Sequence, residues 1–133
     1  MSAADVEAVR ALYDAFNHGD YEAATAMLHE RAELHQAEEV PDADSYLGRD
    51  AFVRGMNRWL SGFEPGFRYL LEDVIDVGDR VWVKLLLHGQ GRGSGIELEM
   101  EGYNVWEVQD GKPFRLFAYF DEDAARAAAG LAG

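Results

Sequence analysis

The spacing of apolar residues changes period part-way along this chain. Asp5 to Phe16 puts Val6, Val9, Leu12, Tyr13 and Phe16 at the 3.6-residue interval of an amphipathic helix. Asn17-His18-Gly19 ends it, because glycine tolerates the left-handed position after a helix. Asp20 can cap a second short helix, Tyr21 to Leu28. Ala32 to Ala37 reads as a strand with Leu34 on one face, and Glu38 to Leu47 (EEVPDADSYL), with Pro41 in it, as a polar loop. Asp50 to Leu60 predicts a third helix whose buried stripe is Phe52, Val53, Met56, Trp59 and Leu60.

From Phe67 onward the period is two. Phe67 to Val77, Arg80 to His88, Ile96 to Gln109 and Phe114 to Phe120 read as four consecutive strands. Val77-Gly78-Asp79-Arg80 is a tight turn, Gly89 to Gly95 a looser one, and Gln109 to Pro113 closes the last hairpin. Asp121 to Ala129 predicts a short Ala-rich helix. Helices first and antiparallel strands after mean an α+β fold, one domain over residues 1–133, with helices on one face of the sheet.

Both faces of that sheet are apolar. Met100, Trp106, Val108, Leu116, Ala118 and Phe120 share one side; Tyr103, Val105, Phe117 and Tyr119 share the other, joined by Trp82 and Leu86. Three helices cover only one face. A patch that large left in water is unusual for a monomer. The expectation is a homodimer packed through the outer sheet face of Trp82, Leu86, Tyr103, Val105, Phe117 and Tyr119.

Composition narrows the partners. A net charge of −13 argues against nucleic acid and anionic membranes, since phosphate recognition needs clustered Lys and Arg. The start, MSAADVEAVR, lacks the basic and apolar regions of a signal peptide, and no apolar run approaches the roughly 20 residues of a membrane span. Absence of cysteine removes disulfides, thiol nucleophiles and thiolate metal sites. The expectation is a cytoplasmic protein. His29-Glu30 lacks the second histidine of a zinc helix motif, Glu33 standing in its place, and His29 and His35 are six apart, about 240° around a helix. No metal and no cofactor are expected. HGQGRGSGIE has no phosphate-loop register, and Ser94 has Arg92 and Ile96 where a nucleophile elbow needs glycines.

In order and in local motifs the chain resembles the nuclear transport factor 2-like superfamily, in its SnoaL-like and ketosteroid-isomerase-like branch. The segments ALYDAFNHGDYEAATAMLHERAELH (11–35) and GYNVWEVQDGKPFRLFAYFDEDAARAAAGL (102–131) carry the resemblance. It implies a curved antiparallel sheet wrapped around three helices as a cone, a pocket in its mouth, and dimers through the outer face. Carried over residue by residue, the isomerase site is lost. Its donor tyrosine falls at Leu12, with Tyr13 one residue out of register; its base falls at Gln36 and its protonated aspartate at Asn104. Gln36 and Asn104 keep the capacity to hold a polar group.

The polyketide-cyclase pattern implies an aspartate just past the last strand as general acid/base, and Asp121 stands there. A carboxylate at an apolar mouth has its pKa raised by desolvation, which suits proton transfer near neutrality. The competing reading is that Asp121 caps the last helix. The expected site is therefore Asp121 for acid/base chemistry, Gln36 and Asn104 to orient a small hydrophobic carbonyl compound, and Phe16, Trp59, Trp106 and Phe120 to enclose it. His35 is expected at the rim, although strand parity favours Gln36 as the inward residue. The function expected is a cofactor-free cyclase or isomerase. The alternatives are a non-catalytic binding module of the same fold, or a dehydratase or epoxide hydrolase. That last reading needs a pocket aspartate paired with His, Arg or Tyr; Arg49 and Asp50 are adjacent but lie at a helix start.

Overall fold

The computed structural model describes residues 2–40 and 42–131; Pro41 of the polar loop lies outside them. Three helices come early. α1 (Ala3–Asn17) is closed at its start by a reciprocal Ser2/Asp5 capping box, and α2 (Tyr21–Met27) by Asp20, whose carboxylate accepts from the Ala23 N–H. α3 (Arg49–Leu60) starts after Gly48, at φ +96°. Two short strands, β1 (Glu33–His35) and β2 (Ser45–Leu47), flank the loop. The irregular stretch therefore ends earlier than its polarity predicts, because residues 45–47 pair with β1.

The remaining strands are β3 (Arg68–Asp76), β4 (Val81–Gln90), β5 (Glu97–Gln109) and β6 (Lys112–Tyr119), followed by α4 (Glu122–Ala129). They form one six-stranded sheet in the order β2-β1-β6-β5-β4-β3, antiparallel except that β1 runs parallel to β6. The β5–β6 hairpin turns on Asp110 and Gly111, both at positive φ, the signature of a two-residue turn that matches strand twist. Irregularities between Leu71 and Asp73 and between Glu107 and Val108 interrupt the ladders, the device by which antiparallel sheets bend.

The inner face packs on α1, α2 and α3. Val81, Val83, Leu85, Leu87, Trp106 and Leu116 meet Val9, Leu12, Tyr13, Leu28 and Phe52 there. At the edge of the sheet, Asn17 pins the end of α1 to β3. Its Nδ2 donates to the Tyr69 carbonyl at 2.7 Å and its Oδ1 accepts from the Tyr69 N–H at 2.9 Å. One side-chain amide thus replaces a missing neighbouring strand.

The outer face is covered differently from what the strand pattern alone suggests. α4 lies across it: Ala125 and Ala129 are buried against Trp82, Tyr103 and Val105, and Arg126 sits 4.8 Å above the Trp82 ring. The small alanine side chains let the helix come close. Arg80 fastens it by donating to the Ala128 carbonyl, and Gly130, at φ +78°, ends it in a left-handed cap. Trp82, Tyr103 and Val105 are each at most 3% exposed within a single chain. Burial of this patch therefore does not require a second copy, while Leu86, Phe117 and Tyr119 stay half-buried. Helices cover both faces, not one. None is long and apolar enough to cross a membrane.

Candidate functional site: a cavity with a donor-lined wall

Between the three early helices and the inner sheet face lies a cavity of about 560 Å³, in the range of small-molecule sites. Its walls are mostly aromatic and aliphatic. Phe16, Trp59, Trp106 and Phe120 line it as the sequence predicts, together with Gln36 and Asn104. Rings run in contact along one wall: Tyr13 to Tyr69 (6.0 Å between centroids), Tyr69 to Phe67 (5.1 Å) and Phe67 to Trp59 (6.1 Å).

The polar chemistry centres on Tyr13. The Asn104 Nδ2 and the Trp106 indole Nε1 both donate to its hydroxyl oxygen, at 2.6 and 2.8 Å. A phenol oxygen has two acceptor positions, so both are occupied and only its own proton is left to give. Burial pushes the Tyr13 pKa up to about 12, partly offset by the hydrogen bonds from Asn104 and Trp106. The group is therefore a neutral donor throughout the physiological range. Two donors behind the oxygen also favour negative charge on it, which strengthens the O–H as a donor.

Tyr69 extends this wall. Its phenol pKa is raised by burial and then by the neighbouring Tyr13, against a lowering influence of the Trp59 indole. Trp59 Nε1 is itself buried and satisfied by no acceptor among the described residues. Gln36 lines the cavity with its Oε1 already accepting from the Asp44 N–H, at 3.2 Å.

Two expected residues lie elsewhere. Asp121 is exposed and does not line the cavity; its Oδ1 accepts from the Asp123 N–H at 3.0 Å and caps α4. The helix that follows the last strand claims this carboxylate, so it offers no acid/base group to the cavity. His35 stands on the outer face, stacked on Phe117 at 4.6 Å. Its ring nitrogens bond Ser45 Oγ (2.8 Å) and Glu33 Oε1 (2.9 Å), and Arg115 holds the other Glu33 oxygen at 3.2 Å. Strand alternation sends His35 outward because Leu34 points in. Arg49 and Asp50 lie at a separate surface depression at the start of α3.

Tyr13 and Tyr69 are cavity-lining residues that motif matching passes over. The signal for Tyr13 was present: a tyrosine in a buried helical stripe needs a partner for its hydroxyl. Carrying the family pattern across placed the donor at Leu12, one residue early. Glu22, Glu64 and Arg92 are the charged residues of the lining. Arg92 donates to the Ser61 and Phe63 carbonyls, at 2.8 and 3.0 Å, and Glu64 accepts from the Gly93 N–H. Among the described residues, no three His, Asp or Glu side chains converge as metal ligands.

The SnoaL-like domain model matches residues 9–116, most of the chain. The chain belongs to the SnoaL-like family. Solved structures agree on the fold. TerC, crystallised with polyporic acid, is 22% identical with a TM-score of 0.79, the match covering 96% of this chain and 99% of that one. Bal32a, from a soil-derived mobile gene cassette, is 24% identical at TM-score 0.78, covering 96% and 95%. A candidate polyketide cyclase from Xanthomonas campestris pv. campestris is 25% identical at TM-score 0.70, covering 95% and 96%. Comparison with the curated proteins found no match. A SnoaL-like fold alone does not assign a reaction.

Proposed function

We propose that this SnoaL-like protein binds a small, largely apolar compound through one carbonyl-type oxygen, which accepts from the Tyr13 hydroxyl. The observation that carries this reading is the filled acceptor side of Tyr13: Asn104 and Trp106 both donate to it, its own proton has no acceptor among the described residues, and Tyr13 lines the cavity. The apolar walls supply burial for the rest of the molecule, and Gln36 and Asn104 complete the polar rim. The 25%-identical candidate polyketide cyclase supports a carbonyl compound as the ligand class. Binding is the reading the geometry favours. A polarised carbonyl is one half of enolisation or aldol chemistry, but the base position carries Gln36, and Asp121 faces away.

Calorimetric titration with tetralin and 1-tetralone, which share one skeleton and differ by a carbonyl, tests this. The preference for 1-tetralone over tetralin falls about five- to tenfold in Tyr13→Phe, the size of one neutral hydrogen bond. An unchanged preference in that variant, or no binding of either compound at millimolar concentration, overturns the reading.

A further inference from the structure

Asn104 sits near the middle of β5 and is only 7% exposed. Its backbone is enclosed by the ladder partners Val83 and Ala118, and its side chain shares the inner sheet face with Trp106 and lines the cavity. The amide nitrogen is engaged, since Nδ2 donates to the Tyr13 hydroxyl at 2.6 Å. The amide oxygen accepts from nothing among the described residues, an uncommon state for a side chain this buried. Unlike the Trp59 and Trp82 indole nitrogens, which are sealed off as well as unpartnered, this oxygen keeps contact with open space. On this face of the sheet, that space is the cavity.

A donor and an acceptor therefore stand side by side. Nδ2 and Oδ1 share one carbon, so the free oxygen lies within an amide's width of the Tyr13 hydroxyl. A ligand that brings only a carbonyl here covers the Asn104 oxygen and takes away the hydrogen bond that water gives it, which lowers affinity. A ligand with a hydroxyl beside that carbonyl satisfies both groups. The family resemblance puts a protonated aspartate, a donor, at this position; the amide gives an N–H to Tyr13 and presents an acceptor instead. Resting on the binding reading above, we infer that the ligand is a hydroxy-ketone, its hydroxyl donating to Asn104 Oδ1 while its carbonyl accepts from Tyr13. Asn104 is thereby a specificity-determining residue.

The test adds 2-hydroxy-1-tetralone and 2-methoxy-1-tetralone to the series; the methoxy compound keeps the added oxygen and loses its proton. In the full-length protein the hydroxy compound is expected to bind about three- to tenfold tighter than 1-tetralone, and the methoxy compound no tighter than 1-tetralone. In Asn104→Leu, which keeps a branched side chain and removes the amide, the preference for the hydroxy compound over 1-tetralone falls to about one. Carbon-13 labelling of the asparagines gives a wild-type readout that does not depend on how the variant folds. The Asn104 Cγ resonance moves further downfield with the hydroxy compound than with the methoxy compound, as a carbonyl that gains a hydrogen bond does. Equal affinity for the hydroxy and methoxy compounds, a preference unchanged in Asn104→Leu, or a Cγ resonance that does not tell the two compounds apart overturns the inference. If 1-tetralone binds through Tyr13 and the hydroxyl adds nothing, this inference fails and the first reading stands. No binding by any compound at millimolar concentration overturns both.

Discussion

The two faces of the sheet carry similar residues and end up as different objects. Outside, Trp82, Tyr103 and Val105 are buried against the alanines of α4. Inside, Trp106, Phe120 and their neighbours meet three helices that leave about 560 Å³ open. The indoles do not separate them: Trp106 donates to Tyr13, while among the described residues neither Trp59 inside nor Trp82 outside has an acceptor. Aromatic content therefore does not distinguish a filled core from a ligand site. What lies against the sheet does: the alanines of α4 lie on Trp82, Tyr103 and Val105, while the early helices leave a cavity over Trp106 and Phe120.

The comparison breaks most easily on the filled side. Trp82→Ala should cost about 3–5 kcal/mol, read from urea unfolding, because the close-packed α4 cannot collapse into the void. A cost below about 1 kcal/mol would mean that the outer face is as loosely packed as the inner one. Next comes Tyr13→Phe, expected to destabilise by about 1–3 kcal/mol by stranding the buried Asn104 and Trp106 donors. Retained stability there would show that the polar cluster is wet or differently partnered.

Asp121→Ala is expected to cost about 1 kcal/mol through loss of the α4 cap, with the 1-tetralone affinity unchanged. Weakened 1-tetralone binding would return Asp121 to the site. The smallest effect concerns the charged strip beside α4. Burial pushes the Glu33 carboxyl up, but hydrogen bonds from His35 and Arg115, with their charges, hold its pKa below the usual carboxylate value. A depressed folded pKa means stabilisation that is present above the unfolded value of about 4.5 and is lost as pH falls through the folded one. Glu33→Gln should therefore remove about 0.5–1 kcal/mol at pH 7 and almost nothing once the wild-type carboxyl is protonated. A difference that persists or grows in acid would refute the pairing.

Much of this was legible in the one-dimensional pattern. The helical stripe Val6-Val9-Leu12-Tyr13-Phe16 and the alternation from Phe67 onward gave α1 and the four long strands with ends shifted by a residue or two, whereas β2 formed in a stretch read as loop. Gln36, Asn104, Phe16, Trp59, Trp106 and Phe120 line the cavity because the side of a strand or helix on which a residue sits is a local property. His35 and Asp121 were misplaced for opposite reasons. For His35 the alternation already favoured its neighbour. For Asp121 two local roles competed, and the helix beyond the strand took the carboxylate.

By itself, then, the sequence determined the α+β order, the two apolar sheet faces and the residues that point inward. Periodicity is written residue by residue, so neighbours suffice to read it. The tertiary structure decided what each face meets. Only folding brings Tyr13 of α1 to Asn104 and Trp106 of β5, some ninety residues away, and only folding lays α4 over Trp82. Whether a buried polar group finds a partner depends on atoms distant in the chain. That is why Tyr13, which the family pattern left one residue out of register, became the centre of the cavity's polar cluster.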